Sequence, residues 1–206
     1  TGDELPKMFE HWRKLGELLG KPLLPIIGGT LNGLIEKQNA LPNWRQRWCT
    51  RMLKIEPYAA WLIQQGPCVS YVGLRVDEPE RQGGDYANIP GVEMRFPMRE
   101  WGWTIKDVFK FLNEKNIVIP ERTDCARCFF QRLGEWWDLW RKYPDVYADA
   151  ESQESLVGHT FRAPSRDSWP TSLKDLRVKF EMGHVPSGSD VQPSLFSELK
   201  CRVCRL

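Results

Sequence analysis

Residues 69–75 read Val-Ser-Tyr-Val-Gly-Leu-Arg, and this stretch decides the fold class. Its residues are mostly apolar, β-branched or aromatic, which predicts a β-strand that runs directly into an arginine. Before it, residues 44–65 have helical periodicity, with a kink or a new start expected at Pro57 because proline cannot complete the helical hydrogen bonds. After it, the polar, Gly-rich residues 76–90 predict a loop, and residues 92–96 predict another strand.

Outward from this stretch, helical and extended patterns alternate. Further helices are predicted over residues 6–19, over residues 30–39 with Thr30 as N-cap, after Thr104, over residues 129–157 and over residues 172–182. A further strand is predicted over residues 23–27. The alternation predicts an α/β protein with an open, mostly parallel sheet. We expect an α/β domain over residues 1–124, a helical, Trp-rich part over 125–183, and a linker with a cysteine-containing tail over 184–206.

Composition narrows the class of protein. The chain has 206 residues, 41% of them hydrophobic, and no run approaches the roughly 20 apolar residues that a membrane span needs. With 29 basic and 27 acidic side chains the net charge is +2, so any affinity for phosphate must be local. We therefore expect a cytoplasmic protein that does not bind membranes.

Four of the six cysteines form two C-x-x-C pairs, which in a cytosolic chain indicate metal binding or redox chemistry. On spacing alone, Cys125, Cys128, Cys201 and Cys204 make a plausible structural zinc site. Cys49 and Cys68 are the other two cysteines.

Basic side chains cluster in two places. Arg45, Arg47, Arg51 and Lys54 lie within ten residues that contain no acid, and on a helix the last three share one face. This face either binds phosphate or is an ordinary basic surface exposed to solvent. Arg75 and Arg81 follow the predicted strand, where open α/β sheets bind ligands, and Glu78 could hold one of them. The alternative is an ordinary loop with weak surface ion pairs.

Five segments, taken in order, resemble the phosphoadenosine phosphosulfate (PAPS) reductase family within the N-type ATP pyrophosphatases. The motifs are most similar to those of the DNA-phosphorothioation and iron–sulfur branches, and the resemblance covers residues 1–144. The segments are TGDELP (1–6), RWCTRMLKIEP (47–57), GLRVDEPER (73–81), RFPMREW (95–101) with Asp107-Val108, and CARC (125–128).

The resemblance implies a sheet of the adenine-nucleotide alpha-hydrolase type that binds ATP or a PAPS-like nucleotide. It implies sulfur transfer, or activation of a substrate by adenylylation, with a nucleic acid or a protein as the sulfur acceptor. The residues that it places at the nucleotide are Thr1, Gly2, Glu4, Arg51, Lys54, Arg75, Glu78 and Arg81.

The chain also departs from the family pattern. The phosphate loop, Ser-Gly-Gly-x-Asp-Ser, is absent from residues 1–206. We expect it upstream of Thr1; the alternatives are that a partner chain supplies it or that the chain is a degenerate homologue. Pro79 replaces the usual serine, and the tail has two cysteines in place of the reductase's Glu-Cys-Gly-Leu-His. The alternative function is a non-catalytic, metal-stabilised binding module.

Iron–sulfur members of the family place ligands at the positions of Cys49, Cys125 and Cys128. Some members have a second cysteine where Thr50 stands, so a tail cysteine, Cys201 or Cys204, would be the fourth ligand here. The resemblance therefore implies a [4Fe–4S] cluster, with zinc on the two C-x-x-C pairs as the alternative.

Overall fold

A computed structural model describes residues 2–83, 86, 88–120, 122–164 and 166–187. Within these ranges the protein is mixed α/β, with one two-stranded sheet. The α-helices are α1 (Pro6–Leu19), α2 (Leu31–Gln38), α3 (Trp48–Thr50), α4 (Glu56–Gln65), α5 (Pro97–Glu100), α6 (Ile105–Glu114), α7 (Leu133–Lys142), α8 (Pro144–Val157) and α9 (Leu173–Glu181). A π-helix covers Arg51–Ile55, and the strands are β1 (Cys68–Tyr71) and β2 (Val92–Arg95). None of these helices has the length and apolar character required to cross a membrane.

The chain divides into two compact units, each assembled from separate stretches. The first, here called the thiol unit, contains residues 2–3, Gly29–Leu53 and residues 124–187. The second, the sheet unit, contains Glu4–Gly28 and Lys54–Thr123. This division differs from the expected order along the chain, because residues 29–53 group with the C-terminal helices.

Local sequence signals explain most element boundaries. Gly20 ends α1 in a left-handed conformation, and the Thr30 hydroxyl caps α2 by accepting from the backbone N–H of Gly33 at 3.2 Å. Between Trp48 and Gln65 the helix is interrupted by the π-helix over Arg51–Ile55, which ends two residues before Pro57. Proline has no N–H for the carbonyl of Leu53, which explains the predicted interruption.

In the sheet unit, β1 and β2 are parallel, with Cys68 opposite Val92 and Tyr71 opposite Arg95. Both strands were expected, and both are shorter than expected. The strand predicted over residues 23–27 is wrong, because this segment is not in a strand and Leu24 and Ile27 are exposed. Pro22 and Pro25 have no N–H groups to donate to a neighbouring strand.

The thiol unit has an aromatic core formed by α7, α8 and α9. Trp136 and Tyr147 are buried, and their ring centroids lie 6.2 Å apart. Trp137 packs edge-on against Phe180 with centroids 5.0 Å apart. The tryptophans of this region therefore form core, as large apolar rings commonly do.

A buried ion pair joins the three stretches of the thiol unit. The Arg127 guanidinium, in a residue only 6% exposed, donates to Asp3 Oδ1 from Nε at 2.6 Å and also from Nη2. Its Nη1 donates to Asn32 on α2 and to Asp149 on α8. The backbone N–H of Ala126 donates to the carbonyl of Asp3 at 2.6 Å. The side chain of Arg127 therefore connects the first residues of the chain with α2 and α8.

We expect Asp3→Asn to lower the free energy of unfolding by about 3 kcal/mol, because it leaves the buried guanidinium short of a counter-charge. Urea denaturation followed by circular dichroism measures the loss. Glu17→Gln, which breaks the exposed Arg13–Glu17 pair, is the control and should cost less than about 1 kcal/mol. Equal losses in the two variants would contradict a special role for the Asp3–Arg127 pair.

The buried Glu154 of α8 should make the stability of the fold depend on pH. Its carboxylate accepts from the backbone N–H groups of Phe161 at 2.8 Å and Leu173 at 2.7 Å. Burial raises the pKa of Glu154 from its ordinary 4.5 to about 7. Between these values the unfolded carboxyl loses its proton while the folded one keeps it, so its contribution makes stability fall as pH rises.

Glu154→Gln should remove this contribution. Chemical denaturation at several pH values between 4 and 8 should show that wild-type stability falls more steeply with pH than that of the variant. Glu36→Gln, at an exposed position on α2, should keep the wild-type slope. Identical slopes in wild type and Glu154→Gln would refute the assignment.

Candidate functional site

The carboxyl ends of β1 and β2 lie at the same edge of the sheet because the strands are parallel. Residues 72–83, which follow β1, are here called the Arg75 loop. The loop continues the ladder by one hydrogen bond, from the N–H of Val72 to the carbonyl of Arg95 at 2.9 Å, and then leaves the sheet. Its side chains are thus set at the edge where α/β sheets bind ligands.

A single buried carboxylate holds two arginines of this loop. Glu78 is 3% exposed, and its Oε1 lies 2.9 Å from Nη1 of Arg81 and 3.3 Å from Nη2 of Arg75. Arg75 also donates from Nε to Oδ1 of Asp77 at 2.9 Å. The arginine side chains are 12% and 16% exposed, so each guanidinium is fixed but still reaches solvent.

Arg99 of α5 fixes the backbone of the Arg75 loop. Its Nη2 donates to the carbonyl of Glu78 at 2.7 Å and to that of Arg81, and its Nε donates to the carbonyl of Arg75 at 3.3 Å. No role for Arg99 was expected from the sequence, although Arg99 lies in the RFPMREW segment. A side chain that binds only backbone carbonyls leaves no local pattern in the sequence of its partners.

The second oxygen of Glu78 is unusual. Oε2 is buried and has no hydrogen-bond partner among the residues that the structure describes. An unpaired buried oxygen is costly, and a donor from a ligand or a water would satisfy it. The arrangement therefore offers guanidinium donors for an anion.

The structure groups only part of the predicted nucleotide set. Arg75, Glu78 and Arg81 converge, as expected from their spacing. Glu4 and Lys54 belong to the same sheet unit, whereas Gly2 and Arg51 belong to the thiol unit. Thr1 lies outside the described residues. In the TGDE segment the structure gives a role to Asp3, which the sequence analysis left unassigned, through its bond to Arg127 of the CARC segment.

The thiol unit brings three predicted metal ligands into one neighbourhood. Cys128 is buried, which raises the pKa of its thiol to about 12. Electrostatic interactions with Asp124, Cys125 and Cys49, which lie nearby, raise the pKa of Cys128 further. Cys49 on α3 therefore lies near the CARC segment, although the sequence separates them widely.

These thiols do not complete a metal site by themselves. No group of three or more Cys, His, Asp or Glu side chains in the described ranges is arranged to hold a metal ion. Cys201 and Cys204, the expected further ligands, lie outside those ranges. Cysteine thiolates are suitable ligands for zinc and for iron–sulfur clusters, and the presence of a metal here remains a prediction.

Comparison with known proteins adds no family to this geometry. No family model, no curated protein and no solved structure matches the chain.

Proposed function

We propose that the protein binds an adenine nucleotide, ATP or a PAPS-like molecule, with its phosphates on the Arg75 loop. The observation that carries the proposal is the pair of guanidiniums, Arg75 and Arg81, held by the buried Glu78 at the carboxyl edge of a parallel sheet. Guanidinium donors bind phosphate oxygens through strong, charge-assisted hydrogen bonds.

The fixed positions of the arginines, and not a net charge, support an anionic ligand. Arg75, Arg81 and Arg99 contribute three positive charges, and Asp77, Glu78 and Glu80 contribute three negative ones, so the loop together with Arg99 is neutral overall. The guanidiniums of Arg75 and Arg81 are preorganised, because Glu78 and Asp77 already hold them in place before a ligand arrives. Fixed cations of this kind also stabilise charge that develops on a phosphate during reaction.

The resemblance to the PAPS reductase family supports the choice of adenine nucleotide over other phosphates. On this proposal the two-stranded parallel sheet belongs to an open sheet of the adenine-nucleotide alpha-hydrolase type. The chemistry would be sulfur transfer, or adenylylation of a substrate, with a nucleic acid or protein acceptor. Lys54, Arg51, Gly2, Glu4 and Thr1 are the further nucleotide contacts that the family pattern proposes.

Arg75→Ala should weaken ATP binding by about 1–3 kcal/mol, the value of a charge-assisted hydrogen bond that is lost. Isothermal titration calorimetry with ATP and with PAPS, on the longest form of the protein that its gene encodes, measures the change. Circular dichroism verifies that each variant is folded.

Arg13→Ala is the matched control, since Arg13 is an exposed, ion-paired arginine on α1. It should leave the affinity for both nucleotides unchanged. No binding by the wild-type protein would overturn the proposal. Full affinity in a folded Arg75→Ala variant would mean that Arg75 is only a charge of the loop.

We also propose that Cys49, Cys125, Cys128 and one tail cysteine, Cys201 or Cys204, hold a [4Fe–4S] cluster, with zinc on the two C-x-x-C pairs as the alternative. The support is the neighbourhood of Cys49 and Cys125 around the buried Cys128. When bound, such a cluster supplies one-electron chemistry, and zinc supplies structural stability. The bond from Arg127 to Asp3 would hold the loop between the two CARC cysteines in place.

Anaerobic purification, metal analysis and a visible spectrum distinguish these outcomes. We expect iron, with broad absorbance near the blue, in the wild-type protein and its loss in Cys49→Ser. Cys68→Ser, at the start of β1 in the sheet unit, is the control and should retain the iron. Zinc without iron, unchanged in Cys49→Ser, would establish the alternative instead of the cluster.

A further inference from the structure

A tight turn at residues 43–47, here called the Trp44 loop, presents a tryptophan to solvent. The Asn43 side chain accepts from the backbone N–H groups of Arg45 and Gln46, both at 3.0 Å. The N–H of Asn43 donates to the carbonyl of Gln46 at 3.2 Å and closes the turn. Trp44 lies within this closed turn and is 63% exposed, so a fixed backbone holds an indole that the core does not use.

The Trp44 loop also carries positive charge. The Arg45 guanidinium lies over the indole, 4.7 Å from the ring centroid. Residues 37–53 contain four cationic side chains, Lys37, Arg45, Arg47 and Arg51, and no Asp or Glu. The loop therefore combines an exposed aromatic face with local positive charge, in a chain whose net charge is only +2.

We propose that the Trp44 loop binds single-stranded nucleic acid. An unpaired base can stack on the exposed indole while Arg45 neutralises a neighbouring phosphate, which is how proteins bind single strands without sequence preference. Bases within a duplex are already stacked on one another and cannot use the indole. An acidic peptide would engage the arginine but would gain little from the aromatic face.

A membrane surface is the other polyanion that uses aromatic and basic residues together. Insertion into lipid needs a continuous apolar area in addition to charge. The residues that precede the turn, Leu41 and Pro42, are buried, and its other exposed positions, Asn43 and Gln46, are polar. The exposed surface of the loop thus favours nucleic acid over lipid.

This inference does not rest on the nucleotide site. The Trp44 loop belongs to the thiol unit and the Arg75 loop to the sheet unit, and each can be tested without the other. Titration with ATP reports on the Arg75 loop, whereas binding of an oligonucleotide reports on the Trp44 loop.

Fluorescence anisotropy with a labelled single strand of about 15 nucleotides, at low salt, tests the proposal. The wild-type protein should bind with a dissociation constant on the order of 10 µM, typical of non-specific binding. Trp44→Ala should weaken binding about 5- to 100-fold, the range measured for loss of one stacked base, and Trp44→Phe should recover most of the affinity. Arg45→Gln should weaken binding and lower the salt slope by about 0.7, the value for one phosphate of a single strand.

Two variants serve as matched controls. Trp101→Ala removes an equally exposed indole from the sheet unit, and Arg13→Gln removes one exposed charge from α1. Both should bind the oligonucleotide like the wild-type protein. The proposal is wrong if the wild-type protein does not bind the single strand, if a duplex of the same length binds as tightly, or if Trp44→Ala binds unchanged. Binding to anionic vesicles that requires Trp44, without binding to the single strand, would assign the loop to membranes and overturn the proposal.

Discussion

Arg127 donates to Asp3, Asn32 and Asp149 from a site that is almost closed to solvent, and these acceptors are far apart in the sequence. A buried guanidinium is tolerated only when its charge and its donors are matched. The thiol unit can therefore place Arg127 in its interior only when the start of the chain, α2 and α8 meet around it. Arg127 stands between Cys125 and Cys128, and its backbone N–H and that of Ala126 also bind Asp3, so the same contacts hold the backbone between the two cysteines.

In both candidate sites, one buried charged side chain holds two side chains of the opposite charge. In the sheet unit, the buried carboxylate of Glu78 holds the guanidiniums of Arg75 and Arg81. In the thiol unit, the buried guanidinium of Arg127 holds the carboxylates of Asp3 and Asp149, so these three side chains together carry one negative charge. The two fixed guanidiniums suit an anionic ligand. Arg127 lies between the two cysteines of the C-x-x-C segment, whereas the two carboxylates that it holds belong to other stretches of the thiol unit.

The sequence correctly predicted the structural features that depend on residues close together in the chain. The ends of α1 and α2, the interruption before Pro57 and the grouping of Arg75 with Glu78 all follow from spacings of a few residues. It failed where contacts join distant residues. Asp3 and Arg127 are 124 positions apart, and no periodicity connects them. The strand predicted over residues 23–27 failed for a local reason, because apolar character was given more weight than two prolines without N–H groups.

The contacts of Arg99 determine which positions of the Arg75 loop can vary. Arg99 binds the carbonyls of residues 75, 78 and 81, and every amino acid supplies a carbonyl. The shape of the loop therefore places no demand on exposed side chains such as those of Pro79 and Glu80, which can change without loss of the backbone contacts. Position 99 has no such freedom, since lysine lacks the planar fork of donors that spans three acceptors. Substitutions should therefore be tolerated at the exposed positions of this loop and should disrupt the loop at the half-buried Arg99.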